Sequence, residues 1–148
     1  MQKQVEPLKT IIEAAAKIHG HLGPFLVLGV KMGEAALKKL GGLQKGSLRV
    51  KLKVPLQTPY SCLIDGVQTA TQCTVGNRKL ELENSDENFI AGYFKNEDSD
   101  DVLVIRVKPH IIEALMTEMA PPNYPEEAME ALAWKTAEKT EEELFSFR

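Results

Sequence analysis

The chain has 148 residues, 43% of them hydrophobic, enough apolar material for one continuous core, so residues 1–148 are expected to form a single domain. A formal net charge of −3 argues against a protein that grips phosphate backbones through clustered Lys and Arg, and nucleic acid is not an expected partner. No stretch approaches the ~18 uncharged apolar residues that span a bilayer, and Met1 to Thr10 lack a signal peptide's apolar centre; the expectation is a cytoplasmic protein with no membrane role.

Leu8, Ile11, Ile12, Ala15 and Ile18 recur at intervals of three and four, the stripe of an opening amphipathic helix that ends at His19. Gly20 and Gly23 supply flexible backbone. Pro24 suits the first turn of a second helix, which runs through Phe25, Leu26, Leu28, Met32 and Ala36 to Gly41-Gly42, with Lys38 and Lys39 complementing its dipole. Leu48, Val50, Leu52 and Val54 alternate with Arg49, Lys51 and Lys53, a strand with one buried and one basic face. Pro55 and Pro59 interrupt regular structure. From Tyr60 onward Cys62, Asp65, Gln68 and Thr69 fall at helical spacing, giving a third helix with a polar stripe.

After Gly76-Asn77 three strands are expected, at 79–83, 88–95 and 102–107, and their short, turn-rich connections predict antiparallel pairing. Pro109 opens a helix through Ile112, Leu115 and Met116 that ends before Pro121-Pro122. A final helix runs from near Pro125 to about Leu144, with Met129, Leu132, Ala133, Ala137 and Leu144 apolar. The class is α+β, an antiparallel sheet packed with N-terminal and C-terminal helices.

His19 and His21 are two apart, a spacing that on a continuous helix turns their side chains about 200° from each other. They converge on one ion only if the helix ends between them, and Gly20 with Gly23-Pro24 supplies that ending. Neutral imidazole suits zinc, iron, nickel or copper. The alternative is a helix-capping histidine beside a hydrogen-bonded core histidine. Cys62 and Asp65, three apart, share a helix face that Gln68 extends. A thiolate is a strong zinc ligand and a carboxylate can ligate or orient an imidazole, although a lone cysteine also packs well as a small apolar residue. Cys73, eleven residues after Cys62, is too distant for a chelating loop and reads as a core thiol or a residue backing the site. In a reducing compartment the two cysteines are not expected to form a disulfide. The Thr71-Gln72-Cys73-Thr74-Val75-Gly76-Asn77 stretch could hold a polar or anionic ligand, or be an ordinary helix-to-strand loop. His110 reads as a capping or exposed residue, Trp134 as a packing or interface anchor, and Glu141-Glu142-Glu143 as a solvated helix face.

Two blocks together carry a resemblance: His19-Gly20-His21-Leu22-Gly23-Pro24-Phe25, and Cys62-Leu63-Ile64-Asp65-Gly66-Val67-Gln68 continued by Thr71-Gln72-Cys73-Thr74-Val75-Gly76-Asn77. The chain resembles the family of proteins like the E component of formylmethanofuran dehydrogenase. That family's pattern is a His-Gly-His segment followed by Cys-Pro-Gly, then a Cys-x-x-Asp-x-x-Gln helix leading into a Gly-Cys-Thr-x-Gly turn. Gly23 stands here where the family carries cysteine, Phe25 replaces the glycine after the proline, and Gln72 stands where glycine is usual. The cysteine-rich, zinc-ribbon-like tail of many relatives is not present in this sequence.

The resemblance implies that both blocks meet around one cavity. It implies a metal, zinc or another divalent transition ion, on His19, His21 and Cys62, with a fourth position left for water or substrate. Asp65 becomes the candidate orienting residue or general base, and Gln68, Thr74 and Asn77 the candidate polar contacts to a small-molecule ligand. The implied role is an accessory protein or small metal-dependent enzyme of one-carbon or molybdopterin-linked metabolism, acting as a homodimer or with a larger metabolic enzyme complex. With two cysteines the chain cannot hold an iron-sulfur cluster by itself, so redox catalysis by this chain alone is not expected. The alternative is a non-catalytic metal or small-ligand binding module, and a third reading is a structural partner that dimerises through its helices.

Overall fold

The computed structural model describes residues 5–41, 46–120 and 123–148; two expected helix stops, Gly42 and Pro121-Pro122, lie outside them. Helix α1, Val5–His19, ends where Gly20 takes φ +106°, a conformation open to glycine and strained for other residues. The Gly20 N–H closes the last turn on Ala16 O at 2.8 Å. Ile12 and Ala15 are fully buried, while Ile18 is 71% exposed, contrary to the expected stripe. The buried line runs Leu8, Ile12, Ala15, His19, so Ile18 falls on its margin beyond the last element that could cover it.

Helix α2, Pro24–Leu40, opens with proline in its first turn and is buried without interruption from Pro24 to Gly33. From Pro24 to Gly33 it is apolar but for Lys31, because two cores form against it. Phe25, Leu28 and Met32 pack with Leu52, Phe94 and Ile105 of the sheet, and Leu22, Leu26, Val27 and Val30 pack with Ile12 and Ala15 of α1 and Ala133 of the C-terminal region. Helix α3, Cys62–Thr71, lies against α2 at backbone contact. A Cβ on Gly29 would sit 2.0 Å from Leu63 O, and one on Gly66 would sit 2.2 Å from Leu26 O. Only glycine permits that approach, which fixes where the N-terminal end of α3 lies relative to the start of α2.

The strands β1 (Leu48–Lys53), β2 (Leu80–Glu83), β3 (Ala91–Asn96), β4 (Asp101–Val107) and β5 (Phe145–Phe147) form one sheet in the order β2-β1-β3-β4-β5. Three of its four pairings are antiparallel, in keeping with the expected antiparallel sheet, but of the three strands expected after Gly76-Asn77 only β3 and β4 pair with each other, because β1 lies between β2 and β3. The β1–β2 pair is parallel, Val50 opposite Leu80, a correction with a clear cause: α3 is the crossover between them, and a helical crossover returns the chain in the same direction. Strand β3 starts only at Ala91, because the chain is still turning at Phe89, whose N–H donates to Asp86 O at 3.0 Å.

Helix α4 is Pro109–Glu118. The expected single terminal helix is instead α5, Glu126–Glu138, and a short α6, Glu141–Leu144. Thr140 lies between the two and caps the second. Its side chain accepts the Glu143 N–H at 3.1 Å while the Glu143 carboxylate accepts the Thr140 N–H at 2.7 Å, a reciprocal capping box. The break turns Leu144 and Phe145 into the core, 0% and 2% exposed, and frees the last residues to pair as β5. Among the described residues no helix is long and apolar enough to cross a membrane.

Candidate metal centre

The end of α1, the Gly20 turn and the first residue of α3 converge. The two imidazole rings lie with centroids 4.7 Å apart, tilted by 56°. One ligating atom from each of His19, His21 and Cys62 lies within 4.8 Å of the others. Ligands of a tetrahedral zinc, at about 2.0 to 2.3 Å from the ion, stand roughly 3.3 to 3.8 Å apart, so the trio is wider than that spacing by no more than about 1 to 1.5 Å. His21 is exposed and free to make the adjustment, whereas Cys62 is buried and held in the first turn of α3.

His19 Nδ1 lies 2.6 Å from Asp65 Oδ2. An ionised carboxylate only accepts, so in the neutral imidazole this bond places the proton on Nδ1 and leaves Nε2 an acceptor. Nε2 is buried and makes no hydrogen bond. A buried acceptor with no partner is costly in a folded protein, and a cation at the trio is the partner its surroundings fit. Burial pushes the Cys62 thiol above its ordinary pKa, with the Asp65 charge adding to the rise, so the metal-free site holds a protonated thiol at neutral pH.

The other expected contact residues are hydrogen-bonded within the chain. Gln68 Nε2 donates to Asp65 Oδ1 at 3.4 Å and Gln68 Oε1 accepts the Val75 N–H at 3.0 Å. Thr74 and Asn77 bond to the backbone of their own turn, through Thr74 N–H to Asn77 Oδ1 and Asn77 N–H to Thr74 Oγ1, each at 3.0 Å. Gln72, at the C-terminal cap of α3, takes φ +62°, the left-handed conformation that glycine adopts more readily. Cys73 is a core thiol, 2% exposed, whose Sγ donates to Leu48 O at 3.2 Å. Neither cysteine is in a disulfide. His110 is exposed, and Trp134 is half-buried against the α1–α2 core.

Met129, an expected apolar position of the C-terminal helix, packs at a place that sequence reasoning did not foresee: its Cγ and Sδ stand 3.4 Å from the position a Cβ on Gly23 would occupy. A glycine in an otherwise buried helix start was the available signal that something packs against it. Sequence reasoning also missed the backbone N–H of Val75, which no side-chain pattern reveals.

The pattern of the family described as "FmdE, Molybdenum formylmethanofuran dehydrogenase operon" matches residues 18–146, which include both blocks and every residue of the trio. A curated protein of Archaeoglobus fulgidus named "Probable S-adenosyl-L-methionine-binding protein" is 39% identical over 74 residues, 49% of this chain and 20% of that protein. The matched part is thus a minor share of the relative's length.

Proposed function

Because the chain belongs to the FmdE family of the molybdenum formylmethanofuran dehydrogenase operon, and gathers two imidazoles and a thiol at one point, we propose that it holds a divalent transition metal, zinc by preference, on His19, His21 and Cys62. The observation that carries this reading is the buried, unpartnered Nε2 of His19, aligned by the Asp65 bond on its other ring nitrogen. Two nitrogens and one sulfur suit zinc, and three protein ligands leave a fourth position for water or a small molecule. Bound there, the ion would supply Lewis acidity. Asp65 orients His19 and is the general base of an enzymatic reading. The role proposed is that of an accessory protein or small enzyme of one-carbon or molybdopterin-linked metabolism in the cytoplasm. A homodimer belongs to the same proposal, supported by the open edge strand β2 with Leu82 39% exposed.

The test is elemental analysis of protein purified without added metal, followed by calorimetric zinc titration in buffers of different ionisation enthalpy. Since ligation needs the Cys62 thiolate and burial raises that thiol's pKa, binding is expected to release about one proton per ion. Affinity then rises with pH, by up to about tenfold per unit, until the pH passes the raised pKa. Protein that takes up no zinc, or takes it up with no proton release, would remove the thiolate from the reading.

A second reading, a small-ligand binding module, is supported by the printed name of the Archaeoglobus relative and by a groove of about 600 Å³ beside α4, lined by Tyr60, Glu87, His110, Glu113 and Met116. Titration with S-adenosylmethionine decides it. Saturable binding that weakens in Glu113→Gln supports the groove, and an absence of heat at millimolar ligand removes it.

A further inference from the structure

Gln68, Thr74 and Asn77 carry polar side chains of the kind that contact ligands, yet the bonds of Gln68 lead to His19, and those of Thr74 and Asn77 build the turn to which Gln68 is bonded. The Val75 N–H is a backbone donor, so the Gln68 atom it meets at 3.0 Å must be the amide oxygen. That settles the amide's orientation and turns Nε2 toward Asp65 Oδ1. Asp65 is then held at both oxygens, Oδ1 by Gln68 and Oδ2 by His19, while its backbone oxygen accepts the Thr69 hydroxyl at 2.8 Å. The turn that presents Val75 is built by its own side chains. Asn77 Oδ1 accepts the N–H groups of Thr74 and Lys79, each at 3.0 Å, and Asn77 Nδ2 donates to Gln72 O at 2.8 Å.

We propose that Gln68 is a positioning residue for His19, and that the Gln72–Asn77 turn is the anchor from which it acts. The backbone donor at the far end sets the direction of both Gln68 bonds, and the carboxylate, which only accepts, sets that of the His19 bond. Val75 N–H fixes Gln68, Gln68 fixes the rotation of the Asp65 carboxylate, and Asp65 favours the tautomer that leaves the buried Nε2 of His19 without a proton. Without Gln68 the half-exposed carboxylate loses its second tether and rotates about its own side-chain torsion, which weakens its hold on the His19 Nδ1 proton and lets the other tautomer gain population. The second sequence block therefore contributes Cys62 to the metal reading, and its Gln68 holds the Asp65 that orients His19. Its consequence for affinity rests on the metal reading above; its consequence for the His19 ring does not.

The experiment uses the full chain, Gln68→Met and Asn77→Ala, each uniformly labelled with ¹⁵N. Long-range ¹⁵N–¹H correlation at pH 8 on the metal-free protein reports the tautomer of His19, one of only three histidines in the chain. The unaltered protein is expected to show His19 protonated at Nδ1 alone. Gln68→Met is expected to show mixed tautomers, with an unfolding midpoint close to the unaltered one and zinc Kd, measured by competition with a chelator, weaker by about tenfold, within the roughly 10–100-fold range for partners behind a ligating histidine. Asn77→Ala, which leaves Gln68 and Asp65 in place, is expected to give a smaller shift of both readouts in the same direction. A Gln68→Met protein that keeps His19 wholly in the Nδ1-protonated form overturns the proposal. If no variant binds zinc, the unaltered protein included, the metal reading falls while the tautomer populations still decide the role of Gln68. If Gln68→Met does not fold, the Asn77→Ala tautomer ratio decides, and an unchanged ratio overturns the proposal.

Discussion

Gly66→Ala is expected to cost about 3 kcal/mol or more of stability and to abolish high-affinity metal binding. The added Cβ would lie 2.2 Å from Leu26 O and 2.7 Å from Val30 N, both backbone atoms of α2, so no side-chain rotation relieves the clash. Overpacking of a core costs roughly 1 to 3 kcal/mol when side chains can shift, and here two helix axes must separate instead. Against a total stability of about 5 to 15 kcal/mol for a domain, that is a large share. Separation also draws Cys62, at the start of α3, away from the histidines that precede α2. Urea denaturation followed by circular dichroism measures the first effect and chelator competition the second. Gly76→Ala is the control, since a Cβ there meets only Thr74 Oγ1 at 3.8 Å, and its effect should stay within about 0.5 kcal/mol. Equal midpoints for the two variants would mean that α2 and α3 are not in backbone contact.

Cys62→Ser and His19→Ala are each expected to weaken zinc binding by about 100- to 1,000-fold. Binding free energies of roughly 10 to 16 kcal/mol for four-ligand structural zinc sites divide into about 2.5 to 4 kcal/mol per ligand, and each 1.4 kcal/mol is tenfold, so about two to three orders of magnitude is the expected scale. His19→Ala removes a ligand and also leaves Asp65 Oδ2 without its 2.6 Å partner. His110→Ala, on an exposed position of α4, should leave affinity unchanged. Zinc retained per chain after dialysis against a weak chelator separates these cases. Full retention by both Cys62→Ser and His19→Ala would place the ion elsewhere.

The two blocks were legible because their chemistry is local. A histidine pair split by Gly20 needs only the knowledge that a helix cannot present both rings together, and the turn that Gly20 and Pro24 call for is the one observed, with φ +106° at the glycine. Leu48 to Lys53 declared its strand by alternation, and Cys62 to Gln68 its helix by spacing. The break at Thr140 was written in the sequence as well, as Thr-x-x-Glu, but the acidic run Glu141-Glu142-Glu143 reads as ordinary helix surface unless the cap is weighed first.

Local pattern was therefore enough for most of the elements, the α+β class and the donors available to a metal: two imidazoles, a thiol and a carboxylate within two short segments. How those donors meet is a property of the folded chain. The parallel β1–β2 pair, the exposure of Ile18 and the chain of bonds from Val75 to His19 depend on contacts between residues apart in sequence, and hydrophobic periodicity is blind to such partners. Gly29 and Gly66 are the clearest case. In sequence each is a weak spot in a helix; in the folded chain, the absence of two side chains lets two backbones touch and brings Cys62 to the His-Gly-His turn.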